Sequence, residues 1–455
     1  MRMTDCADRL RTFYRSRWYP VLAAGLIFCG HVTGWDVPFL AAAILLALPG
    51  FFVARDSDFL LPQLMMFVFA VTARYFDPET VDYRYDRYLQ PHWIILSSAV
   101  LTAVAVGLTD FIRRNRKIAN RLRERSIPIS LAILSAAMLC NGVFHTPYTP
   151  KNLMYAAIFA VSTLGFYLFC ARFRRQSRAS DDWFLYCVAV TGLLILAELI
   201  AAYFTTVRFE NGTVVKESVI LGWGVWTSVG GMLVFLMPAC FRFAYDSRRG
   251  WIFYLLGLAM FAGTLISQSR GALLTGGIVL VVCLILVCTG GANRRQNRIL
   301  TVALLLVGAS AAVLLIVRSS GLIRNLLEYG LNDNGRFDLW KIGLRHFLES
   351  PIFGSGFYDS YVSEWNTVVY PDLYHNTFVQ MLGACGAVGF AAYLWHRAVT
   401  VRVILKNRGS VQTRFLAVSI FGLLLFSLID VLFFKTYPTV IYALMLCRLQ
   451  PGEEA

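Results

Sequence analysis

Charged residues are scarce in this chain. They make up 15% of its 455 residues, whereas 57% are hydrophobic, a balance that a single water-soluble core does not explain. Acidic residues are fewer than basic ones, 27 against 42. The basic residues form short clusters between apolar runs, without the interleaved polar faces of a nucleic-acid-binding protein. We therefore exclude nucleic acid as a partner and predict contact with anionic membrane lipids.

Patterns typical of metal sites and disulfide frameworks are also missing. The ten cysteines are scattered singly, most of them inside apolar runs, with no CxxC pair and no histidine at ligand spacing. We interpret them as small core residues. The predicted outer loops contain no Asp-x-Asp motif and no histidine cluster. No metal and no cofactor is predicted.

Long apolar runs make up most of the chain. Trp183–Phe204, Val219–Phe241, Gly271–Cys288 and Ile299–Val317 each approach or exceed the roughly 18 residues that cross a bilayer as a helix. All such runs together give about 12 to 14 spans, because two of them, 59–73 and 437–449, are weak. The sequence therefore predicts an all-α, polytopic membrane protein.

Clusters of Lys and Arg predict the orientation of these spans. The N-terminal arginines fall on the same side as the clusters at 113–125, 172–178, 242–249, 294–298 and 397–414. The positive-inside rule makes that side cytoplasmic. Both termini are then cytoplasmic, in a bacterial inner membrane, and the first span is expected to be retained.

This orientation divides the chain into three regions. Residues 1–317 hold the first eleven predicted spans, with basic loops in the cytoplasm. Residues 318–374 form one large extracytoplasmic loop, in which 322–329 and 339–348 are predicted to be helical. Residues 375–455 hold the C-terminal spans. Outward-facing chemistry is expected in the large loop or in the other segments on that side, which are 73–91, 147–151, 205–218 and the joint around Arg270.

Arg270 is the first candidate functional residue. It lies at the joint between two apolar spans, where a guanidinium is costly unless it is paired or hydrated. Snorkelling of its side chain to the lipid headgroups is the plain alternative. Ser267, Gln268 and Ser269 add hydrogen-bonding groups at the same depth. This combination suits the binding of an oxyanion.

Further candidates lie in or beside the large loop and within late spans. Arg336 follows Asp-Asn-Gly and precedes a predicted helix, so it lies near a helix N-terminus, where anions are favoured. His375 opens a span at the water interface and is either an interfacial anchor or the base of a transferase. Asp430 could orient His375 or pair with an arginine. For the other acid within an apolar run, Glu198, we favour the role of structural partner to a buried polar group.

Four motifs follow one another between 261 and 394. They are Ser-Gln-Ser-Arg-Gly at the span joint, Asn-Gly-Arg-x-x-x-Trp, Ser-Pro-Ile-Phe-Gly-Ser-Gly-Phe, and His-Asn-Thr-Phe-Val-Gln followed by a glycine-rich stretch. No single motif is specific, but in this order and spacing they resemble the O-antigen ligase and polymerase superfamily. The flanking spans fit the many-helix plan of that family.

The resemblance implies a metal-independent membrane glycosyltransferase. Such an enzyme takes a glycan from undecaprenyl diphosphate and passes it to an outward-facing acceptor, which is lipid A core in the ligases. Arg270 and Arg336 would hold the donor diphosphate, His375 would activate or orient the acceptor hydroxyl, and Asp430 matches an acidic position in the late helices of the ligases. Possible supporting residues are Ser267, Gln268, Ser269, Trp340, Asn376 and Glu198.

Three alternatives stay open at this point. A polymerase of the same superfamily, for O-antigen or capsular polysaccharide, would carry the same motifs. A transporter for the lipid-linked glycan would also have many spans and arginines, but its charges are expected along a central cavity. A structural membrane protein would make Arg270, Arg336 and His375 dispensable.

Overall fold

The computed structural model describes residues 3–70, 91–118, 125–145, 148, 150–210, 213–318, 335–357, 361–362, 368–369 and 374–449. The α-helices of the first half have the following bounds: α1 Met3–Tyr14, α2 Trp18–Thr33, α3 Asp36–Val53, α4 Leu61–Ala70, α5 Pro91–Asn115, α6 Ser126–Leu139, α7 Pro150–Ala160, α8 Phe166–Phe173 and α9 Arg178–Thr205. A π-helical turn, Val161–Gly165, joins α7 to α8 in one continuous helical run.

The second half continues the all-helical pattern. Its α-helices are α10 Trp226–Leu236, α11 Pro238–Asp246, α12 Gly250–Ile266, α13 Arg270–Thr289, α14 Arg294–Arg318, α15 Arg336–Glu349, α16 Thr377–Lys406, α17 Val411–Phe426 and α18 Thr436–Arg448. Short 3-10 turns occur at Ser57–Leu60, Arg116–Ile118, Lys216–Ser218 and Leu432–Phe434. The strands are two residues long and form three antiparallel pairs: β1 Phe209–Glu210 with β2 Thr213–Val214, β3 Ile220–Leu221 with β4 Gly224–Val225, and β5 Tyr361–Val362 with β6 Val368–Val369.

The prediction of an all-α, polytopic membrane protein is confirmed. Within the described part of the chain, five helices are long and apolar enough to cross a membrane: Asn152–Phe173, Arg178–Thr205, Trp226–Asp246, Arg270–Thr289 and Thr377–Lys406. Six shorter apolar helices of 10–17 residues accompany them. The total of 12 to 14 spans and the division into three regions stay predictions.

Two predicted spans are shorter as helices than the apolar runs suggest. The run 219–241 becomes helical only at Trp226, because β3 and β4 pair around the two-residue loop 222–223. A glycine on each side of Trp223 favours such a tight hairpin. The run 415–434 ends as a helix at Phe426, and the chain then turns through 427–430 before a 3-10 turn. The non-helical parts of these two runs are apolar because they are buried, not because they form a membrane-spanning helix.

α16 is interrupted in its first half, and the segment 350–357 of the large loop fills the break. Gly386 has a non-helical backbone inside α16, with φ 63° and ψ −164°. Four backbone hydrogen bonds join the interrupted helix to the segment 350–357: Ser355 N to Gly383 O at 2.9 Å, Gly356 N to Ala384 O at 3.0 Å, Ala387 N to Pro351 O at 2.8 Å, and Val388 N to Ile352 O at 3.2 Å. Irregular backbone at membrane depth is stable only where its polar groups find partners, and here the loop provides them.

The helix predicted at 339–348 is confirmed, because it lies within α15. The helix predicted at 322–329 lies outside the described residues. α15 packs on α16 with close backbone contact: a Cβ on Gly343 would lie 2.5 Å from Val379 Cγ1, and one on Gly383 would lie 2.8 Å from the Gly343 carbonyl oxygen. α15 is thus packed closely against α16.

The two ends of α16 differ in character, which provides a test of orientation. Its first turn adjoins the large loop, whereas its last turn carries Lys406 and leads to Arg408. We expect Asp338→Cys, at an exposed position of α15, to react with a membrane-impermeant thiol reagent added outside intact cells. Arg408→Cys should react only after the membrane is opened. Both variants need Cys6 and Cys29, which are exposed, replaced by serine. Labelling in the reverse order would overturn the predicted orientation.

Candidate active site

The joint between α12 and α13 is held in a fixed shape by its own serines. α12 ends at Ile266, and α13 begins at Arg270 after Gln268, whose φ of 60° is unusual for a residue with a side chain. The Ser269 hydroxyl accepts from Ala272 N at 3.3 Å and caps α13, while the Ser267 hydroxyl donates to Thr264 O at 2.8 Å. Both serines are buried, whereas Gln268 and Arg270 are exposed. Arg270 is thus held at the first turn of a helix.

His375 and Asp430 meet at the point where α16 begins. The His375 Nδ1 lies 3.3 Å from Asp430 Oδ1, and the same carboxylate oxygen accepts from Val431 N at 2.7 Å. The Asp430 side chain is 3% exposed and that of His375 is 36% exposed. His375 adopts a φ of 51°, in the left-handed region. A buried carboxylate therefore orients an imidazole that solvent or a substrate can reach.

Asp430 lies in the turn after α17, and its surroundings keep it ionised. Burial raises its pKa, but the hydrogen bonds from His375 and Thr227 and the charges of Lys435 and His375 together lower it by more, so that the pKa lies below its ordinary value. The Lys435 Nζ donates to the Ser228 hydroxyl near the start of α10, and the Thr227 hydroxyl is a further partner of the carboxylate. A carboxylate with these partners stays charged at neutral pH.

Asn376 ties the two turns of the site together. Its side-chain oxygen accepts from Phe378 N at 2.9 Å and Val379 N at 3.2 Å, which caps α16. Its amide nitrogen donates to Leu428 O at 3.0 Å, in the turn that carries Asp430. A backbone bond from Thr377 N to Ser427 O, 2.8 Å long, runs beside it. Asn376 is therefore a positioning residue, which its place in the sequence motif alone does not reveal.

The α12–α13 joint packs directly against this pair of turns. A Cβ on Gly271 would lie 2.8 Å from Ile429 Cγ2, so the residue after Arg270 touches the residue before Asp430. On the other side, a Cβ on Gly230 of α10 would lie 2.6 Å from the Ser267 hydroxyl. Segments that are remote in the sequence, around Arg270, His375 and Asp430, thus converge at one place.

Arg336 and Trp340 lie at the start of α15. Arg336 is the first residue of this helix and follows Gly335, which has a φ of 75°. Trp340 contacts Phe337 edge to face, and its buried indole N–H has no hydrogen-bond acceptor among the described residues. Farther along α15, the His346 Nδ1 lies 2.6 Å from the Tyr374 hydroxyl, next to His375. α15 is therefore anchored beside the site at its far end and presents Arg336 at its first turn.

Comparison with known proteins found a matching family. Residues 255–394 match the family model described as O-antigen ligase. This part of the chain is similar to that family. The match includes Arg270, Arg336 and His375, whereas Asp430 lies beyond it. No curated protein matches the chain. The resemblance inferred from the motifs is thereby confirmed, and members of this family are membrane glycosyltransferases of the ligase or polymerase type.

Sequence reasoning missed three polar residues that adjoin the candidate active site. Thr227 and Ser228 begin α10, and Lys435 follows the turn that carries Asp430. Lys435 had a detectable signal, because it is a basic residue at the outer end of a span in a chain whose other clusters follow the positive-inside rule. The two hydroxyl residues had none. Their proximity comes only from helix packing.

Glu198 belongs to a buried polar cluster of its own. One carboxylate oxygen accepts from Trp223 Nε1 at 2.8 Å, and the other lies 3.2 Å from His31 Nε2. These contacts favour the structural role, although its function stays a prediction. Within the ranges described above, no group of three or more His, Cys, Asp and Glu residues has a geometry that could hold a metal ion.

The contact between Gly271 and Ile429 predicts a paired glycine experiment. Gly271→Ala adds a methyl group 2.8 Å from the stiff, β-branched Ile429, which should cost about 1–3 kcal/mol of stability or displace the Asp430 turn. Gly277→Ala, on the same helix, meets no atom within 4 Å and should be neutral. Thermal unfolding in detergent and glycan-transfer activity are the measurements. Equal stability and equal activity in the two variants would show that close contact between the α12–α13 joint and the Asp430 turn is not required.

Proposed function

We propose that the protein is an O-antigen ligase-like glycosyltransferase. It moves a glycan from undecaprenyl diphosphate to an outward-facing acceptor, which is lipid A core or another surface acceptor, without a metal ion. The observation that carries the proposal is the His375 and Asp430 pair, with a separation of 3.3 Å, packed against the joint that holds Arg270. Arg270 and His375 lie within residues 255–394, which match the O-antigen ligase family model. This arrangement supplies a base and a cation to one reaction centre.

The proposed transfer is a displacement at the anomeric carbon of the donor sugar. Asp430 accepts from Nδ1–H of His375, which leaves Nε2 as the basic nitrogen. Nε2 takes the proton of the acceptor hydroxyl, and that oxygen forms the new bond to the anomeric carbon. The bond from this carbon to the diphosphate oxygen breaks, and its electron pair leaves with the diphosphate. The Asp430 carboxylate stabilises the imidazolium that results.

Arginines stabilise the charge on the departing diphosphate in this proposal. Arg270 and Arg336 are the first residues of α13 and α15, where unpaired backbone N–H groups favour anions. A guanidinium forks onto two phosphate oxygens and carries its charge at any physiological pH. Lys435, held by Ser228, adds a third positive charge near Asp430. These groups would supply the electrostatic stabilisation that a divalent metal gives in other transferases.

The predicted orientation fits this role. With the basic clusters in the cytoplasm of a bacterium, both termini are cytoplasmic and the site faces outward, where the lipid-linked donor and the acceptor would meet. Contacts of α15 and of 350–357 with α16 keep these two parts of the large loop beside the site. The loop would then cover the diphosphate at the membrane surface and exclude water from it.

Substitutions at four positions test the proposed roles. His375→Ala should lower the rate of transfer about 100- to 10,000-fold, because the general base is lost, and Asp430→Asn should lower it by a similar factor, because the amide no longer fixes the imidazole tautomer. Arg270→Ala and Arg336→Ala should each cost about 100-fold or more. Arg408→Ala is the matched control, an exposed arginine at the other end of α16. Normal surface glycan in the His375 and arginine variants, with normal membrane insertion, would sink the transferase proposal.

A reconstituted assay tests the reaction type and the metal independence together. Purified protein, a defined undecaprenyl-diphosphate glycan, a candidate acceptor and excess chelator are combined in liposomes. We expect one glycan to be attached to the acceptor, since the proposed chemistry uses only side chains of this chain. A ladder of lengthening lipid-linked glycans would instead identify a polymerase. Strict dependence on added divalent metal would contradict the arginine mechanism, and transport without any new glycosidic bond would favour a transporter.

A further inference from the structure

A cavity at the opposite end of the helices from the candidate active site has the features of a binding site. Its volume is about 350 Å³, within the range of small-molecule pockets. It lies between the α1–α2 turn, the start of α9, and the α11–α12 region. Three arginines, Arg15, Arg17 and Arg175, line it together with aromatic side chains.

The cavity and the candidate active site lie at opposite ends of α9. Its first turn lines the cavity, through residues such as Ala179 and Ser180. Near its other end, the Tyr203 hydroxyl donates to the Ile266 carbonyl at 2.5 Å and lies 3.5 Å from Gln268 Nε2, beside Arg270. The rise along an α-helix separates the two ends by about 35 Å. The cavity is thus distinct from the transfer site.

The acidic residues of the cavity wall already have partners. Asp58 is bound by Arg448 and by the Ser180 hydroxyl. Asp182 lies 3.2 Å from a nitrogen of Arg242. These carboxylates therefore leave little negative charge to neutralise further cations.

The arginines of the wall are in excess over those carboxylates. Arg15 pairs with Asp56. Arg17 and Arg175 have no carboxylate within ion-pair distance in the part of the chain that the structure describes, although their charges act on Asp182 and Asp56 from farther away. Two guanidinium charges thus face the cavity without a neutralising partner there, a surplus that favours an anionic ligand.

Aromatic rings also line the cavity. Trp183 and Tyr186 stack with ring centroids 6.1 Å apart, and Phe243 and Phe253 lie 4.9 Å apart. The Trp183 indole N–H donates to the Asp58 carbonyl at 3.0 Å, which fixes this ring, and the Arg17 guanidinium lies 5.9 Å from the Tyr186 ring. The site thus joins cations to an apolar surface. Such a wall accommodates a glycerol or acyl portion next to a phosphate.

We propose that this cavity binds a phosphate-bearing anionic group, with Arg17 and Arg175 as its ligands. The start of α9, capped by Ser177, adds the positive end of a long helix to the same wall. A phospholipid headgroup and free phosphate share this chemistry. The proposal does not depend on the transfer reaction, because none of the residues assigned to that reaction lines the cavity.

Native mass spectrometry of the full chain in a neutral detergent tests the proposal. The probes are phosphatidylglycerol and phosphatidylcholine with the same acyl chains. We expect the wild type to retain phosphatidylglycerol on the order of tenfold more strongly, and Arg17→Gln with Arg175→Gln to lose that preference. The matched control is Arg402→Gln with Arg408→Gln, two exposed arginines at the C-terminal end of α16, which should keep it. If the double variant does not fold, Arg175→Gln alone carries the same test.

Competition distinguishes the sources of the phosphate. Displacement of the lipid by millimolar inorganic phosphate would identify a free-phosphate site, and displacement only by phosphate-bearing lipids would identify a headgroup site. Both results keep the proposed chemistry. No preference in the wild type, or an equal loss in the control pair, would overturn it, since the binding would then reflect general surface charge. Glycan transfer measured on the same variants reports separately on the proposed function.

Discussion

The break in α16 is the constraint on which the rest of the site depends. Gly386 frees backbone groups inside a membrane-spanning helix, and 350–357 satisfies them with four backbone hydrogen bonds. Only glycine fits at this point, because a Cβ on Gly386 would lie 2.4 Å from the Ile352 carbonyl oxygen and one on Gly354 would lie 2.3 Å from the Ala384 carbonyl carbon. The glycines of two sequence motifs therefore form one joint. This joint fixes the segment 350–357 of the large loop to α16, whose first turn follows His375.

From that joint the geometry of the candidate site follows by contact. Asn376 caps α16 and also binds the turn after α17, so the helix start and the Asp430 turn move as one unit. Ile429 of this turn packs against Gly271, and this contact brings Arg270, at the start of α13, close to the turn. Each of these residues acts on the chemistry by holding another group. In the proposed reaction His375 transfers the proton, and the buried Asp430 carboxylate must stay charged to orient it.

Charge is distributed along the helices in two separate arrangements. At the candidate active site, arginines stand at helix N-termini and one ionised acid, Asp430, lies beside His375, an arrangement that suits the proposed release of a diphosphate. At the other end of α9, most arginines are matched by acids, and Arg448 is buried with two of them, Asp58 and Asp181. Burial of these ion pairs is tolerable because each charge has several partners. Arg17 and Arg175 differ from these arginines, because no carboxylate lies within ion-pair distance of them among the described residues.

Local properties of the sequence determined the helices and the candidate residues. A membrane helix satisfies its own backbone, so apolar runs reveal where helices lie, and short motifs identified Arg270, Arg336 and His375. Apolar composition could not separate the β3–β4 hairpin from a helix, because both are buried. Only the tertiary structure decided that His375 meets Asp430, 55 residues away, and that Lys435 joins them. These contacts arise from the packing of helices that are distant in the sequence, and no local pattern encodes such a distance.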